Sequence, residues 1–281
     1  MERRARNVHS LEAYILEMSG VMSSRPQLDP IRDPEAIIVN SFDETPIHYD
    51  LYGVPSRTLV LIVPGFWRDR RHASMVRLAN WFVSGGYATA ICDLRGHGDS
   101  GGTFGFNLNE HHDIAAVAHD VIDRCAPESI TLIGLSYGAA IAISAAARHE
   151  LPLASMLLVS PVADFAMVSP RINPFTIHRH IMFTQAIRRS PRFDWHLFRA
   201  PKLRAVDDVE QIHVPLSLIH VKNDWLIDHT HSIALYEHAN EPKELHVIDI
   251  PGNYHADRIF LNAPALIEPL IDDFFERYSP R

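Results

Sequence analysis

The 281-residue sequence has few cysteines, no long apolar run and no net positive charge, and each shortage argues against a class of protein. Two cysteines, Cys92 and Cys125, are too few for a disulfide framework and lack metal-site spacing, which fits a reducing compartment. No apolar run reaches the roughly 18 residues that a membrane-spanning helix needs. The formal charge of −8 gives no reason to expect nucleic acid as a partner. We therefore expect a cytoplasmic protein without a transmembrane segment.

The first 34 residues differ from the rest. Residues 1–6 are basic, as at the start of a signal peptide, but Glu12 and Glu17 interrupt the apolar segment that follows. Four apolar side chains lie on one helical stripe, which predicts a helix that docks on the protein, on a membrane surface or on a second copy. They are Leu11, Tyr14, Ile15 and Met18. Residues 23–34, rich in Pro, Ser and Asp, are interpreted as a linker.

Short apolar runs rich in β-branched residues alternate with segments of helical periodicity through most of the remaining chain. The apolar content of 47% is enough for one large core. A hairpin is predicted first, and continuous apolar runs then predict strands that are buried on both faces. Strands are expected at residues 36–42, 46–52, 58–63, 87–92, 130–135, 153–160, 216–221 and 244–250. This order predicts the α/β class, with a doubly wound, mostly parallel sheet.

The alternation fails across residues 162–214, where we predict a helical lid inserted late in the chain. The predicted organisation is an N-terminal helix and linker at 1–34 and a core formed by 35–161 and 215–281. Residues 165–205 carry eight Lys or Arg against Asp194 alone, a net charge of +7, with aromatic residues between them. Such a lid suits an apolar pocket. The candidate substrate-binding residues are Trp67, Phe175, Met182, Phe183, Trp195 and Trp225.

A serine stands at the point where a predicted buried strand meets an alanine-rich helix, within Gly134-Leu135-Ser136-Tyr137-Gly138. In a strand-turn-helix context, glycines two positions before and after a serine permit a tight, strained turn that exposes the hydroxyl. The start of the helix also directs free N–H groups and its positive dipole end at that hydroxyl. We therefore predict Ser136 as a nucleophile.

A serine nucleophile needs a base that an acid orients, and the chain offers 18 histidines. Position selects among them, because working residues in open α/β sheets follow the carboxyl ends of strands. His255 follows the last predicted strand and Asp224 the strand before it, which gives the chain order Ser, Asp, His. Asp228 and Asp164 remain open as alternative acids.

The oxyanion formed on attack needs two rigid backbone N–H donors. The amide of Tyr137 is one candidate because it follows the nucleophile directly. The amide of Phe66 is the other, since the turn Pro64-Gly65-Phe66-Trp67 ends a buried strand.

Other histidines are interpreted as structural. His97, in a glycine-rich loop, is expected to stabilise a turn or line a pocket, and His111 and His112 are expected to be solvated at the start of a helix. His178 and His180 could be metal ligands, but no matching cysteine or carboxylate cluster accompanies them. We predict no metal and no cofactor.

Three segments resemble the α/β-hydrolase superfamily, in its lysophospholipase-like and serine-aminopeptidase-like branch. They are Ile62-Val63-Pro64-Gly65-Phe66, residues 93–100 and the turn at residues 134–138, and the resemblance covers roughly residues 36–278. It implies that Asp224 and His255 complete a triad with Ser136. The chain departs from the family pattern at Pro64, where histidine is frequent, at Val221, where glycine is frequent, and at Asp228, where proline is frequent.

We expect a serine hydrolase that cleaves carboxylic esters of a hydrophobic acyl group through an acyl-enzyme. An acyl thioesterase acting on acyl-CoA or acyl-carrier protein is the alternative, because Asn223-Asp224-Trp225 resembles acyl-carrier-protein thioesterases and the basic lid suits an acidic carrier. A third possibility is a hydrolase-like binding protein without turnover, since a fold does not fix a function.

Overall fold

A single eight-stranded sheet forms the centre of the molecule. The computed structural model describes residues 33–106, 109–168, 190–194, 204–252 and 254–281. The strands are β1 (Glu35–Asn40), β2 (Pro46–Tyr52), β3 (Thr58–Val63), β4 (Ala88–Cys92), β5 (Ser129–Leu135), β6 (Leu153–Val159), β7 (Leu216–Val221) and β8 (Lys243–Ile248). Their spatial order is β1-β2-β4-β3-β5-β6-β7-β8.

Antiparallel pairing is confined to one side of the sheet. β1 and β2 form the predicted hairpin, and β2 pairs antiparallel with β4. From β4 through β3, β5, β6 and β7 to β8, every neighbouring pair is parallel. The predicted α/β class with a mostly parallel sheet is therefore confirmed.

Helices cover both faces of the sheet. They are α1 (Ala73–Ser84), α2 (Glu110–Cys125), α3 (Tyr137–Arg148), α4 (Ala205–Asp208), α5 (Thr230–His238), α6 (Arg258–Asn262) and α7 (Pro264–Tyr278). One apolar cluster joins the sheet to α2, α3 and α5. A second joins the other face to α1 and α7. All residues of β3 and β4 are buried, as expected for parallel strands covered on both sides.

The sequence pattern predicts a helix at residues 113–125, whereas α2 begins three residues earlier, at Glu110. Glu110 and Asp113 lie in its first turn, where the positive end of the helix dipole stabilises a carboxylate. His111 is therefore inside the helix and only 7% exposed, so the prediction that it is solvated is wrong. His112 is partly exposed.

The predicted lid falls largely outside the described residues. Its described pieces are 162–168, with a short 3₁₀ turn at Phe165–Met167, then 190–194, and finally 204–214, which contains α4 and leads into β7. The piece 190–194 lies against the loop that follows β4, because the Arg192 N–H donates to the Gly96 carbonyl at 2.9 Å. The helical lid and the N-terminal helix stay predictions. Among the described helices, none combines the length and apolarity needed to cross a bilayer.

Candidate active site

Ser136 occupies a strained turn between β5 and α3, with φ 54° and ψ −122°. A Cβ added to Gly134 would lie 2.4 Å from the Ala139 Cα, and one added to Gly138 would lie 2.2 Å from the Pro64 carbonyl oxygen. Both contacts are with backbone, so any larger residue would force the turn apart. A left-handed φ on a non-glycine residue persists only where the surroundings impose it, and such strain clusters at functional sites.

The structure brings Ser136 together with the two side chains that the sequence pairs with it. The Ser136 Oγ and the His255 Nε2 are 2.7 Å apart. On the other side of the ring, the His255 Nδ1 lies 2.8 Å from Asp224 Oδ2 and 3.0 Å from Oδ1. The three residues follow β5, β8 and β7 at one edge of the sheet, so a single hydrogen-bonded chain links carboxylate, imidazole and hydroxyl.

The two alternative acids have other partners. Asp228 accepts a hydrogen bond from the Thr230 N–H at 2.9 Å, as in a local turn. Asp164 accepts from the Ala166 N–H and pairs with Arg204, both at 2.8 Å. Of the three aspartates considered from sequence, Asp224 is the one within hydrogen-bond distance of His255.

Asp224 is held in its ionised form. Its side chain is fully buried, and its Oδ1 accepts hydrogen bonds from the N–H groups of Leu226 at 2.9 Å and Ile227 at 3.1 Å. Burial alone would raise the pKa of Asp224, but the charge interaction and hydrogen bonds with His255, together with the nearby imidazole of His220, hold the pKa well below its usual range. A fixed negative charge therefore lies behind the imidazole at neutral pH.

His220 supports the Asp224 loop, and the sequence analysis did not identify it. This fully buried β7 residue donates from Nε2 to the Ile227 carbonyl at 2.9 Å, and its Nδ1 lies 2.7 Å from the Ser232 hydroxyl. Its Nε2 is also 3.6 Å from Asp224 Oδ2. A titratable residue inside a buried strand, four positions before the acid, was the available signal.

The turn after β3 lies beside the serine. A Cβ on Gly65 would be 3.1 Å from both the Ser136 Cβ and the Leu135 carbonyl oxygen, so the two turns are in close contact. The Arg68 N–H closes the turn by donating to the Gly65 carbonyl at 3.1 Å, with Phe66 between them. Helix α3 begins at Tyr137, and the first N–H groups of a helix have no partner within it.

Comparisons with known proteins agree with this architecture. A family model described as serine aminopeptidase, S33, matches residues 54–192. The esterase Pf2001 of Pyrococcus furiosus superposes with a TM-score of 0.69 at 20% identity, over 91% of this chain and 99% of that chain. The chain has the α/β-hydrolase fold.

Two further proteins are similar to this chain, one in its fold and one in its sequence. The α/β-hydrolase GrgF of Penicillium sp. sh18 superposes with a TM-score of 0.71 at 19% identity, over 88% of this chain and 99% of that chain. "Alpha/beta hydrolase domain-containing protein 17C" of Xenopus tropicalis is 28% identical over 167 residues, which are 59% of this chain and 46% of the frog protein. The matched region is thus about half the length of that curated relative.

His97 lies beside the turn after β3, where it contacts Phe66, and its environment keeps it neutral. Its Nδ1 donates to the Arg95 carbonyl at 3.1 Å, and its Nε2 is 3.5 Å from the Trp67 N–H. Burial lowers the pKa of His97 to about 4. The geometry agrees with a role in holding two loops together.

An aromatic cluster adjoins the turn after β3. The Phe66 ring centroid lies 4.8 Å from that of Phe106, 5.1 Å from Phe104 and 5.5 Å from Phe193. Phe104 is fully buried and forms an isolated bridge with Phe193. The cluster therefore joins the loop after β4 to the segment 190–194 by apolar contact.

A small cavity opens beside Ser136 and His255. Two of the six predicted substrate-binding residues, Trp67 and Trp225, line this cavity. The other predicted substrate-binding residues, Phe175, Met182, Phe183 and Trp195, lie outside the described residues. The cavity wall also contains a buried ion pair that sequence did not reveal, Arg68 with Asp257 at 3.0 Å. Asp257 also accepts from the Ser74 hydroxyl at 2.5 Å.

Proposed function

We propose that the protein is a serine hydrolase that cleaves carboxylic esters of a hydrophobic acyl group through an acyl-enzyme. The observation that carries this proposal is the hydrogen-bonded chain from Asp224 through His255 to the strained Ser136, with distances of 2.8 and 2.7 Å. The serine aminopeptidase family model and the esterase fold of a structural neighbour support hydrolase chemistry.

Each residue of the chain has one role in the proposed reaction. The Ser136 Oγ attacks the acyl carbonyl carbon while its proton passes to the His255 Nε2. The tetrahedral intermediate then collapses, and the leaving alcohol takes that proton. Water attacks the acyl-enzyme by the same route, which releases the acid and restores the serine. Asp224 keeps the proton of His255 on Nδ1 and stabilises the imidazolium that forms.

The backbone amides of Phe66 and Tyr137 are the proposed oxyanion donors. The close approach of Gly65 to Ser136 and the start of α3 at Tyr137 support this assignment. Fixed N–H groups directed at the developing charge need no rearrangement during the reaction, and loss of one such donor typically costs about 10²- to 10³-fold in kcat.

The aromatic cluster around Phe66 favours an apolar acyl group. Phe66 and the two tryptophans Trp67 and Trp225 line the cavity beside the serine. An acyl chain gains about 0.8 kcal/mol for each methylene that such a surface removes from water. Activity should therefore rise with chain length until the pocket is filled.

An acyl thioester is the second candidate substrate, and the net charge of +7 over residues 165–205 favours it. A basic surface attracts an anionic acyl-CoA or an acidic carrier protein, and added salt screens that attraction. A thioesterase should lose kcat/KM for acyl-CoA with rising salt while it keeps kcat/KM for a neutral ester. Equal salt dependence for the two substrates would argue against it.

Covalent labelling tests the serine assignment directly. A fluorophosphonate probe should label the wild-type protein at Ser136, and the protein should hydrolyse nitrophenyl esters. Ser136→Ala should lose labelling and lower kcat by about 10⁴- to 10⁶-fold. Ser84→Ala, at an exposed serine at the end of α1, is the matched control and should keep both. Absence of labelling in a folded wild-type protein would indicate a binding protein without turnover.

A further inference from the structure

Three histidine side chains converge where the first turn of α2 meets the end of α3. His111 and His112 are the second and third residues of α2, and His149 is the C-cap of α3. The Nδ1 of His111 and the Nε2 of His149 are 3.0 Å apart. One nitrogen from each of the three rings lies within 4.8 Å of the others. No role in the proposed hydrolysis explains this grouping.

The spacing of the three nitrogens suits a tetrahedral metal ion. Zinc binds imidazole nitrogen at about 2.0–2.1 Å, so two ligand nitrogens at a tetrahedral centre are about 3.3 Å apart. The observed pair at 3.0 Å is close to that separation. The third nitrogen lies within 4.8 Å of the other two, so its ring must turn to bring that nitrogen to ligand distance. We propose that His111, His112 and His149 form a binding site for Zn²⁺ or a similar divalent first-row metal ion.

Nearby cations do not oppose a metal ion strongly, because each is paired with an acid. Arg148 lies 2.9 Å from Asp208, and Arg95 lies 2.6 Å from Asp113. The charged and titratable groups that face the three rings are Arg148, Asp208, Asp113, Arg95, Asp43 and His119.

The site is separate from the proposed catalytic serine. Ser136 is the N-cap of α3 and His149 is its C-cap, so the length of the helix, about 18 Å at 1.5 Å per residue, lies between them. Within the described part of the chain the cluster has three ligands, which leaves a fourth position for water. The metal would therefore bridge α2 and α3 and stabilise their packing, without contact with the ester.

Metal binding by the untagged, chelator-treated full-length protein tests the proposal. Equilibrium dialysis against Zn²⁺ with metal analysis should give one tight site per chain, and Zn²⁺ should raise the thermal unfolding temperature. His112→Asn and His149→Asn remove partly exposed ligands, and each should weaken binding by at least about 100-fold, more than loss of a group behind a ligand costs. His213→Asn, at an exposed histidine outside the cluster, is the control and should bind as wild type does.

A second measurement needs no variant. Co²⁺ in place of Zn²⁺ should give the intense visible absorption of a four-coordinate site, whereas scattered surface histidines give the weak spectrum of hydrated Co²⁺. Wild-type affinity in both cluster variants would overturn the proposal, and so would a weak, hydrated-type Co²⁺ spectrum. The rate at which a fluorophosphonate labels Ser136 should be the same with and without metal, which separates this test from that of the hydrolase.

Discussion

Two buried aspartates, Asp93 and Asp224, follow parallel strands at the same edge of the sheet, yet their partners differ. Asp93 follows β4, pairs with the guanidinium of Arg70, and accepts the N–H groups of Arg70 at 2.7 Å and Asp99 at 2.9 Å. Asp224 follows β7 and also accepts two backbone N–H groups, but its side-chain partner is the imidazole of His255. Burial and strand position are thus common to both carboxylates.

The partner decides what each carboxylate can do. Arg70 is 2% exposed and also contacts Asp50 at 2.8 Å and Asp99 at 3.0 Å, so it holds loops together and never releases a proton at neutral pH. His255 can gain and lose a proton, and its other nitrogen reaches Ser136. A buried aspartate at a strand end is therefore a candidate acid only when it orients a group that can transfer protons.

Among the aspartate substitutions, Asp224→Asn has the largest expected effect, which is on activity. The amide keeps the shape of the carboxylate but favours the wrong tautomer of His255 and leaves the imidazolium without a counter-charge. We expect kcat for a nitrophenyl ester to fall by about 10⁴-fold while the fold is retained. Steady-state kinetics, with circular dichroism to check folding, measures this.

Asp228→Asn is the matched control for that substitution, because Asp228 is exposed and only four residues away. It should leave kcat within about 3-fold of wild type, as expected for a surface change. A large loss of kcat in Asp228→Asn, with little loss in Asp224→Asn, would instead assign the role of the triad acid to Asp228.

The next effect is on stability, from Asp93→Asn. Removal of one partner from a buried ion pair typically costs about 3–5 kcal/mol. The lower end is expected here, because Asp50 and Asp99 remain beside Arg70. Urea denaturation should show a loss of about 3 kcal/mol in the free energy of unfolding, with kcat of the folded fraction unchanged. If kcat of Asp93→Asn fell as far as kcat of Asp224→Asn, the two aspartates would not differ in the way proposed.

The strands could be predicted because each carries its own signal. The apolar runs of β3, β5 and β7 are local, and β2 and α7 occupy the ranges 46–52 and 264–278 that the sequence pattern predicts. The burial of His111 was missed because its ring contacts His149 at the end of α3, a contact between distant parts of the chain. Burial of that kind has no local pattern.

The site was predictable to the extent that position along the chain implies position in space. Ser136, Asp224 and His255 each follow a strand, and parallel strands bring their carboxyl ends to one edge. The aromatic contacts of Phe66 with Phe104 and Phe193 depend on how three separate segments pack, which spacing does not encode. The ion pair of Arg68 with Asp257 joins residues 189 apart in sequence and was missed for the same reason.

A third buried aspartate, Asp257, has the smallest expected effect, which is on stability. It lies two residues after His255 yet pairs with Arg68, as Asp93 pairs with Arg70. Burial would raise its pKa, but Arg68, His72 and the Ser74 hydroxyl hold the pKa of Asp257 well below its usual range. A carboxyl whose pKa is lower in the folded state stabilises the fold above its unfolded pKa of about 3.9, and this stabilisation is lost as pH falls further.

Asp257→Asn should therefore lower the free energy of unfolding by about 2 kcal/mol at pH 7, and the gap from wild type should narrow below about pH 4. Urea denaturation across the acid range in which both proteins stay folded measures this gap. Asp272→Asn, at an exposed carboxylate of α7, should stay within about 0.5 kcal/mol of wild type throughout. A gap for Asp257→Asn that is unchanged from pH 7 to the acid limit would mean that packing, and not the ion pair with Arg68, gives Asp257 its effect on stability.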